Sequence, residues 1–565
     1  MYCRFGFALF LASLGCASGQ APEMNTQEAP ATFRTKVNVV LVPVVVRDRK
    51  GQAVGDLHKE DFQILDRRKP QVISSFTVEK SGDAASSQPA TPAGALPAEA
   101  APGENTPAPP VVADHYTAYL FDDVHITFED LVQSRDAALH HLDKSLGPAD
   151  RAAIFTTSGR TTLDFTDDRD KLRETLMRLR PQPIARSGVH ECPDISFYQA
   201  DLIINRNDPQ ALQIAAVDAA ACLGLTPQQA SGMVQGAAAQ VLAAGDHETR
   251  LALDVLRTVV RRVSSMPGQR SVILISPGFL LLLDHRSDET DILEKALHGN
   301  VIVNTLNARG LYTIIPGGDA SQPSAQPLVT APLKAGMATA SAQAEEDILV
   351  EMADGTGGTY IHNTNDLLGG FERLAARPEY VYVLGFSPQN LKLDGTFHGL
   401  KVTLKERPDL TLRARHGYFA PKHLADPEET AKREIEEAVF SREEQSDIPV
   451  VMHTQFFKPT DDSAHLTVLT RVDAKHIPFR KEDGRNRDDL TVVTTLFDRN
   501  GNLVVGNKQS VQLRLKDATL EKTLTTGLTL KSTFDIKPGS YAVRLVVRDS
   551  EGQLMTAANG AVQIP

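Results

Sequence analysis

The sequence predicts a multidomain protein with a central α/β domain of the doubly wound, Rossmann-like type between two all-β regions. Between residues 116 and 386, strand-like and helix-like segments alternate, as they do in a mostly parallel sheet with helices on both faces. Residues 34–79 and 446–565 instead contain β-branched runs separated by turn residues. A chain of 565 residues also exceeds what one hydrophobic core supports.

The N-terminus has the pattern of a signal peptide covering residues 1–19. Arg4 supplies the positive charge, residues 5–14 the apolar core, and residues 15–19 the small side chains before a cleavage point. Cys16 leaves a lipid anchor open as an alternative. No other apolar run reaches ~18 residues without charge, so we expect no membrane-spanning segment. The pattern predicts a secreted, periplasmic or envelope-associated protein.

Residues 34–79 read as a small β module with strands at 37–46, 61–65 and 72–78. A piece of this size has a thin core, so we expect it to dock on a neighbouring domain. Residues 80–113 follow as an Ala/Pro-rich linker that cannot bury enough apolar surface to fold.

The central domain is predicted to span residues 114–421. A short turn between the second and third strands indicates a hairpin, and therefore one antiparallel edge strand. Residues 181–267 read as an Ala-rich helical insertion, and residues 316–337 as an irregular one. The predicted strands are 116–121, 151–157, 161–165, 270–276, 311–315, 358–362 and 380–386. The predicted helices include 168–179, 288–308, 345–354 and 366–376, and a hairpin at 398–406 and 410–415 completes the domain.

A charged helical connector at 422–445 leads to the last domain, residues 446–565. Seven strands at short spacing are typical of an immunoglobulin- or fibronectin-like β-sandwich. They are predicted at 450–457, 465–472, 490–497, 511–515, 528–534, 541–547 and 554–562.

Composition restricts the function. The formal net charge is -12, whereas nucleic-acid binding needs a basic face. Removing the signal peptide leaves two cysteines, Cys192 and Cys222. An even pair in an exported protein favours a disulfide, with two buried thiols as the alternative.

Four stretches resemble the exported von Willebrand factor A (VWFA)-related family described mainly from acidobacteria. They are VVVRDRKGQAVGDLHKEDFQILDRRKPQVISSF (44–76), YLFDDVHITFEDL (119–131), DRAAIFTTSGRTTLDFTDDRDKLRETL (150–176) and RARHGYFAP (413–421). The resemblance covers about residues 34–421. It implies an A-domain fold, export and an adhesion or interaction role, and it implies no reaction.

A-domains of this kind often bind a cation through Asp-x-Ser-x-Ser after the first strand, and hard oxygen ligands of that type suit Mg²⁺. Here Asp122 and Asp123 end the first predicted strand, and the register gives Asp123-x-His125-x-Thr127. The later acid that the resemblance implies is replaced by Ser276-Pro277-Gly278. These residues predict a degenerate site for Mg²⁺ or another divalent cation, composed of Asp122, Asp123, His125 and Thr127. The alternative is that the acids cap the next helix or end the strand in solvent.

No convergent catalytic set is visible, so we expect a non-catalytic protein. The leading hypothesis is an interaction or adhesion protein that binds a protein or surface polymer through loops at the carboxyl ends of the strands. Those loops contain Asp122, Ser158, Ser276 and Gly278. It predicts that replacing Asp122 and Asp123 by alanine weakens binding without harming the fold. The alternative is a structural or assembly protein of the cell envelope whose A-domain binds no metal.

Overall fold

The computed structural model describes residues 24–30, 40–49, 53–80, 113–183, 192–312, 330–375, 380–386, 388, 396–405, 407, 409–420, 427–441 and 444–565. The predicted signal peptide with Cys16, and residues 81–112 of the predicted linker, lie outside the described residues. None of the helices described is long and apolar enough to cross a membrane.

Up to the end of the central domain, the elements are β1 (Met24–Pro30), β2 (Val40–Arg47), β3 (Phe62–Asp66), β4 (Lys69–Gln71), β5 (Ile73–Lys80), β6 (His115–Phe121), α1 (Phe128–Ser145), β7 (Asp150–Thr156), β8 (Thr162–Thr166), α2 (Arg169–Met177), α3 (Phe197–Ile204), α4 (Pro209–Leu223), α5 (Pro227–Ser264), β9 (Gln269–Ser276), α6 (Arg286–His298), β10 (Val301–Asn307), α7 (Ala331–Thr356), β11 (Tyr360–Ile361) and α8 (Leu367–Ala375). The remaining elements are β12 (Tyr380–Phe386), β13 (Phe397–Leu404), β14 (Thr411–Ala414), β15 (Gly417–Phe419), α9 (Pro427–Phe440), β16 (Gln445–Ser446), β17 (Val450–Thr460), β18 (Ser463–Val472), β19 (Arg480–Glu482), β20 (Arg485–Phe497), β21 (Leu503–Leu515), α10 (Asp517–Thr526), β22 (Leu528–Ile536), β23 (Gly539–Asp549) and β24 (Met555–Ile564).

The central sheet has the strand order β11-β10-β9-β6-β7-β8. Numbered within the domain from β6, this is a mirrored 3-2-1-4-5-6, the order of a doubly wound sheet. The ladders are parallel except that β8 runs antiparallel to β7, as the predicted hairpin requires. Apolar side chains of α5, α6 and α7 pack on one face, and those of α1, α2 and α8 pack on the other. The structure therefore has the doubly wound architecture that the alternating segments indicate.

Several predictions within this domain are wrong. The helix predicted at 288–308 ends at His298, and the fifth strand of the sheet, β10, follows at once. Gly299 and Asn300 end the helix, Asn300 with a positive φ of 48°, and the β-branched run that begins at Val301 then favours a strand. The strand predicted at 311–315 is absent from its described part, residues 311–312. The helix predicted at 345–354 extends back to Ala331, inside the predicted irregular insertion.

The strand at Tyr380–Phe386 does not belong to the central sheet, contrary to the prediction. It pairs antiparallel with β2 and β5 of the N-terminal β module. The predicted hairpin at 398–415 is also wrong, because β13 pairs with β3 and β15 whereas β14 pairs with β2. Two four-stranded sheets, β14-β2-β12-β5 and β15-β13-β3-β4, enclose one core. Strands that follow the central domain in the chain thus complete the hydrophobic core of the N-terminal β module.

The central domain leaves and re-enters the β module at one point. Lys80, the last residue of β5, is the cross-strand partner of Tyr380, the first residue of β12. The described residues between them form the central domain, which therefore takes the place of the turn of a β5–β12 hairpin.

The helical insertion consists of α3, α4 and the first half of α5. Small alanine side chains let these helices approach closely, and they share a core of their own. Cys192 and Cys222 form a disulfide with a Cα–Cα distance of 6.3 Å. On α7, Lys334 pairs with Asp218 of α4 at 2.5 Å, which ties the insertion to the central domain.

The C-terminal region contains all seven predicted strands in two sheets. The first, second and fifth (β17, β18 and β22) form one sheet, and the third, fourth, sixth and seventh (β20, β21, β23 and β24) form most of the other. Apolar side chains from both sheets share two cores. The N-terminal strand β1 adds to this second sheet by pairing with β21.

The β20–β21 turn docks on the central domain at the amino ends of its strands. Arg151 donates from Nε to the carbonyl oxygen of Arg499 at 2.9 Å, and Arg499 pairs with Asp167 at 2.7 Å. Gly501 has a φ of 84°, and a side chain there would collide with buried Tyr116. The C-terminal domain therefore covers the amino edge of the central sheet.

Candidate functional site

Polar side chains meet where three adjacent strands of the central sheet end. Asp122 and Asp123 follow β6, Thr157 and Ser158 follow β7, and Ser276 is the last residue of β9. Because β7, β6 and β9 are neighbours and run parallel, their carboxyl ends lie together at one edge. Ligands usually bind at this edge of a doubly wound sheet.

Asp122 is the centre of this cluster and has no solvent exposure. Its carboxylate accepts hydrogen bonds from the Thr157 hydroxyl at 2.8 Å and the Ser276 hydroxyl at 2.6 Å. His125 Nδ1 lies 2.9 Å from both carboxylate oxygens. Both oxygens of Asp122 are therefore engaged by side chains of the protein itself.

Asp123 is held by the loop after β7 and is only 2% exposed. Ser158 donates to it twice, from its backbone N at 2.8 Å and from its hydroxyl at 2.6 Å, and Thr157 Oγ1 lies 3.2 Å away. Thr157 thus connects both acids. Replacing either acid would disturb the packing between β6 and β7.

The electrostatics favour an ion pair between Asp122 and His125. Burial alone would raise the pKa of Asp122, but the charge and hydrogen bond of His125 and the two hydroxyl donors outweigh it and lower that pKa. Burial likewise opposes the protonated imidazole, yet Asp122, with Glu248 and Glu345 further away, raises the pKa of His125. Burial is also the main reason that the pKa of Asp123 is raised. We conclude that the His125 imidazolium neutralises Asp122.

The ring of Phe279 and the backbone at Gly278 cover this cluster. The ring of Phe279 stacks on the His125 imidazole with centroids 5.2 Å apart and an interplanar angle of 20°. Gly278 donates to the Ser276 hydroxyl at 2.9 Å, and with a φ of 88° it lies against the backbone of Glu345 on α7, where a side chain would not fit. Ser276 and Gly278, predicted as partner-binding residues, are buried. Ser158, another predicted partner-binding residue, is half-buried. The exposed residues of its loop are Gly159 and Arg160.

Thr127 does not join the acids, which corrects its predicted role as a metal ligand. It is the N-cap of α1, where its hydroxyl accepts from the backbone N of Asp130 at 3.2 Å and donates to the Asp130 carboxylate at 2.9 Å. The last residue of the Asp123-x-His125-x-Thr127 pattern is therefore the N-cap of helix α1.

Replacing Thr127 by alanine is expected to lower the free energy of unfolding by about 1 kcal/mol, because one backbone donor of α1 loses its partner. Chemical denaturation of the two proteins measures the difference. Thr127→Ser keeps the hydroxyl and should remain within a few tenths of a kcal/mol of the wild type. A loss as large in Thr127→Ser as in Thr127→Ala would contradict the capping role.

These residues do not fit the predicted divalent cation site. Nowhere in the described ranges do three or more His, Cys, Asp or Glu side chains come together as a metal-binding group. Both oxygens of Asp122 already face His125, whose protonated ring brings a positive charge of its own. Thr127, the hydroxyl ligand that the spacing offers, points to Asp130. The donor set suits an internal ion pair better than it suits Mg²⁺.

Sequence reasoning missed Thr157, which contacts both acids. The resemblance places the metal-binding threonine within the helical insertion, where the sequence singles out no position. The available signal was the polar run Thr156-Thr157-Ser158 at the end of a buried strand adjacent to β6.

The same edge of the sheet carries an exposed apolar rim, which we define as Phe128, Leu283 and Leu311. They are 61%, 86% and 64% exposed, more than any other described large apolar side chain in residues 113–375. Each follows the carboxyl end of a different strand, respectively β6, β9 and β10, and these three strands are neighbours. Singly exposed apolar residues are common on protein surfaces, so the significance of these three lies in the edge that they share.

Comparisons with known proteins give weak likenesses. No family model and no curated protein matches the sequence. Among solved structures, an aerotolerance-related membrane protein from Bacteroides fragilis is 12% identical, with 46% of this chain and 97% of that chain covered and a TM-score of 0.24. The conserved hypothetical protein BatB from Bacteroides thetaiotaomicron is 13% identical, with 47% and 98% covered and a TM-score of 0.22. A β-glucuronidase from Bacteroides uniformis has a TM-score of 0.14 over 33% of this chain and 19% of its own.

Proposed function

We propose that this chain is a non-catalytic interaction protein whose central domain, of the VWFA type, binds a protein partner through the exposed apolar rim. The observation that carries the proposal is the placement of Phe128, Leu283 and Leu311 on loops at one edge of the sheet. Water-exposed side chains of this size gain free energy when a partner covers them, at about 25 cal/mol per Å² of apolar surface.

The rest of the central domain supports this use of the edge. The C-terminal domain covers the opposite edge through Arg151, Asp167 and Arg499. The buried cluster of Asp122 and its partners braces two of the three loops that carry the rim, those after β6 and β9, because it joins the ends of these strands. In this proposal the acids position the binding loops, and the partner contacts the rim.

We place this activity outside the cytoplasm. The N-terminal pattern is that of a signal peptide. The disulfide between Cys192 and Cys222 is of a kind that persists in oxidising compartments.

The rim is tested by replacing Phe128, Leu283 and Leu311 together by serine. We expect retention of partner proteins from an envelope extract to fall at least tenfold, because truncated apolar anchors cost about 1–2 kcal/mol each. The matched control replaces Val451 and Phe457, exposed apolar residues of the C-terminal domain, by serine. If both proteins are folded and the rim variant retains as much partner protein as the wild type does, the proposal is overturned.

The second candidate is a structural or assembly protein of the cell envelope. The observation that favours it is the Asp122–His125 pair, which supplies internally the charge that a metal-dependent adhesin takes from a cation. The two candidates differ in what the rim variant does in cells lacking the wild-type protein. A purely structural role predicts that the rim variant restores envelope integrity fully, whereas a binding role predicts that it does not.

A further inference from the structure

The β module is basic although the chain as a whole is acidic. Residues 40–80 and 380–420, which contain its strands, have 14 Lys or Arg against 9 Asp or Glu and therefore a net charge of +5. The whole chain carries a net charge of -12. A domain whose charge opposes that of the rest of its chain is the part to which an anionic partner is attracted.

The exposed positive charge lies on one sheet of the module, β15-β13-β3-β4. Its four strands contain a single acid, Asp66, and that side chain is buried, where it accepts from the Tyr418 hydroxyl at 2.8 Å. Arg68 and Lys69 at the β3–β4 turn and Lys401 on β13 are all exposed. Among the described residues, no acid forms an ion pair with any of these three cations. Their charges are therefore available to a partner.

The β3–β4 turn contains arginines where the backbone disfavours them. Arg67 and Arg68 have φ angles of 46° and 68°, in the left-handed region, and Asp66 and Lys69 pair on either side of them. Two-residue hairpin loops with this backbone usually contain Asn-Gly, because glycine adopts a positive φ at no steric cost. Arg67 at least donates to the Thr396 hydroxyl at 3.0 Å, whereas no such bond in the described structure explains Arg68. A role outside the fold accounts for an arginine at this position.

An exposed aromatic ring lies beside these cations. Phe397, the first residue of β13, is 42% exposed, and its ring covers Gly417 of β15, where an added side chain would collide with it. The backbone N of Arg67 donates to the carbonyl oxygen of Gly399 at 3.0 Å, which places the β3–β4 turn next to the start of β13. Phe397 and Lys401 are four residues apart on one strand, so their side chains project from the same face of the sheet.

We propose that the β module docks on a membrane surface containing anionic phospholipids through a basic face, defined as Arg68, Lys69, Phe397 and Lys401. Guanidinium and ammonium groups bind phosphate oxygens, and basic side chains near an anionic bilayer are attracted to it in a way that salt weakens. The phenyl ring favours a bilayer over a soluble acidic polymer, because it can enter the apolar layer below the headgroups. This contact uses none of the rim residues and does not depend on the function proposed for them.

The test is co-sedimentation of the full chain, without its signal peptide, with two kinds of vesicle. One contains phosphatidylcholine alone, and the other contains phosphatidylcholine mixed with phosphatidylglycerol. We expect binding to the mixed vesicles only, with a bound fraction that falls as NaCl is raised from about 50 to 300 mM. Equal binding to both kinds of vesicle, or to neither, would overturn the proposal.

Replacing Arg68, Lys69 and Lys401 together by alanine should weaken binding to the mixed vesicles at least tenfold, because each cation near an anionic surface contributes roughly a fivefold effect. These side chains are exposed, so the variant should keep its fold, which circular dichroism checks. Unchanged vesicle binding by this folded variant would contradict the assignment of the face.

The matched control replaces Lys475, Lys522 and Lys531, exposed lysines of the C-terminal domain, by alanine. It removes the same total charge from the chain and should bind the mixed vesicles as the wild type does. A loss as large in this control as in the basic-face variant would show that net charge alone drives binding, and the proposal would fail.

The variant Phe397→Ser distinguishes a bilayer from a soluble acidic polymer, for which dextran sulfate is the probe. We expect it to bind the mixed vesicles severalfold more weakly than the wild type and to bind dextran sulfate equally well. If vesicle binding is unaffected by Phe397→Ser, the face recognises charge alone, and an acidic polymer replaces the membrane as its partner.

Discussion

Replacing Asp122 by alanine is expected to lower the free energy of unfolding of the central domain by about 3–5 kcal/mol, the usual loss when one partner of a buried ion pair is removed. The variant leaves the imidazolium of His125 without its counter-charge and the hydroxyls of Thr157 and Ser276 without their acceptor. Urea denaturation followed by circular dichroism measures the loss. This expectation replaces the one from sequence, in which the alanine variant keeps its fold.

The variant Asp122→Asn removes the charge of the side chain but keeps its shape. The pH dependence of the free energy of unfolding then tests the ion pair. The lowered pKa of Asp122 means that its contribution is present above about pH 4 and is lost as the pH falls through the folded-state value. The raised pKa of His125 means that its contribution is complete below about pH 6.5 and is lost as the pH rises through the folded-state value. The stability difference between wild type and Asp122→Asn should therefore be greatest between about pH 4 and 6.5. A difference that does not change with pH would contradict the ion pair.

Removing the disulfide by the double change Cys192→Ser and Cys222→Ser is expected to cost the helical insertion about 3–4 kcal/mol. The two cysteines are 30 residues apart, and closing a loop of that length restricts the unfolded chain by about this amount. The core of the insertion is rich in alanine, so each buried residue there contributes little apolar surface. Proteolysis of the insertion, timed in both proteins, reports the loss.

Treating the wild-type protein with a reductant should reproduce the effect of the double variant, and the variant itself should not respond to the reductant. The central sheet serves as an internal reference for the rate of proteolysis, because its two hydrophobic cores are separate from the core of the insertion. Proteolysis that is equally slow in the reduced and oxidised wild type would show that helix packing alone holds the insertion.

Five of the six strands of the central sheet could be predicted from sequence because their signals are local, whereas β10 falls in a segment predicted as helix. Strands β6 and β8 are each followed by a short loop and an amphipathic helix, and the short turn before Thr162–Thr166 indicates the antiparallel edge. The pairing of Tyr380–Phe386 with β2 could not be predicted in this way. Its seven residues are an apolar run that suits either sheet, and its partners lie more than 300 residues away in the chain.

The sequence predicts the position of the candidate site and not its chemistry. It locates Asp122 and Asp123 at the end of a buried strand, and the structure has them there. Whether an acid faces solvent or another side chain depends on loops from other strands, here those of Thr157 and Phe279. Spacing alone singles out Thr127, and spacing does not distinguish a metal ligand from a helix cap.

The single point at which the chain passes between the central domain and the β module determines how tension along the chain would reach that module. Lys80 and Tyr380 are the end pair of the β5–β12 ladder, so a partner that drags the central domain away from this module pulls both strands from the same end. Because both strands are then pulled in the same direction, the load passes from β12 to its other neighbour, β2, along the whole of the β2–β12 ladder. The contacts of Arg151, Asp167 and Arg499 on the opposite edge share load between several bonds at once. Tension on the central domain therefore reaches the β module through a ladder that is loaded along its length, and it reaches the C-terminal domain through several bonds at once.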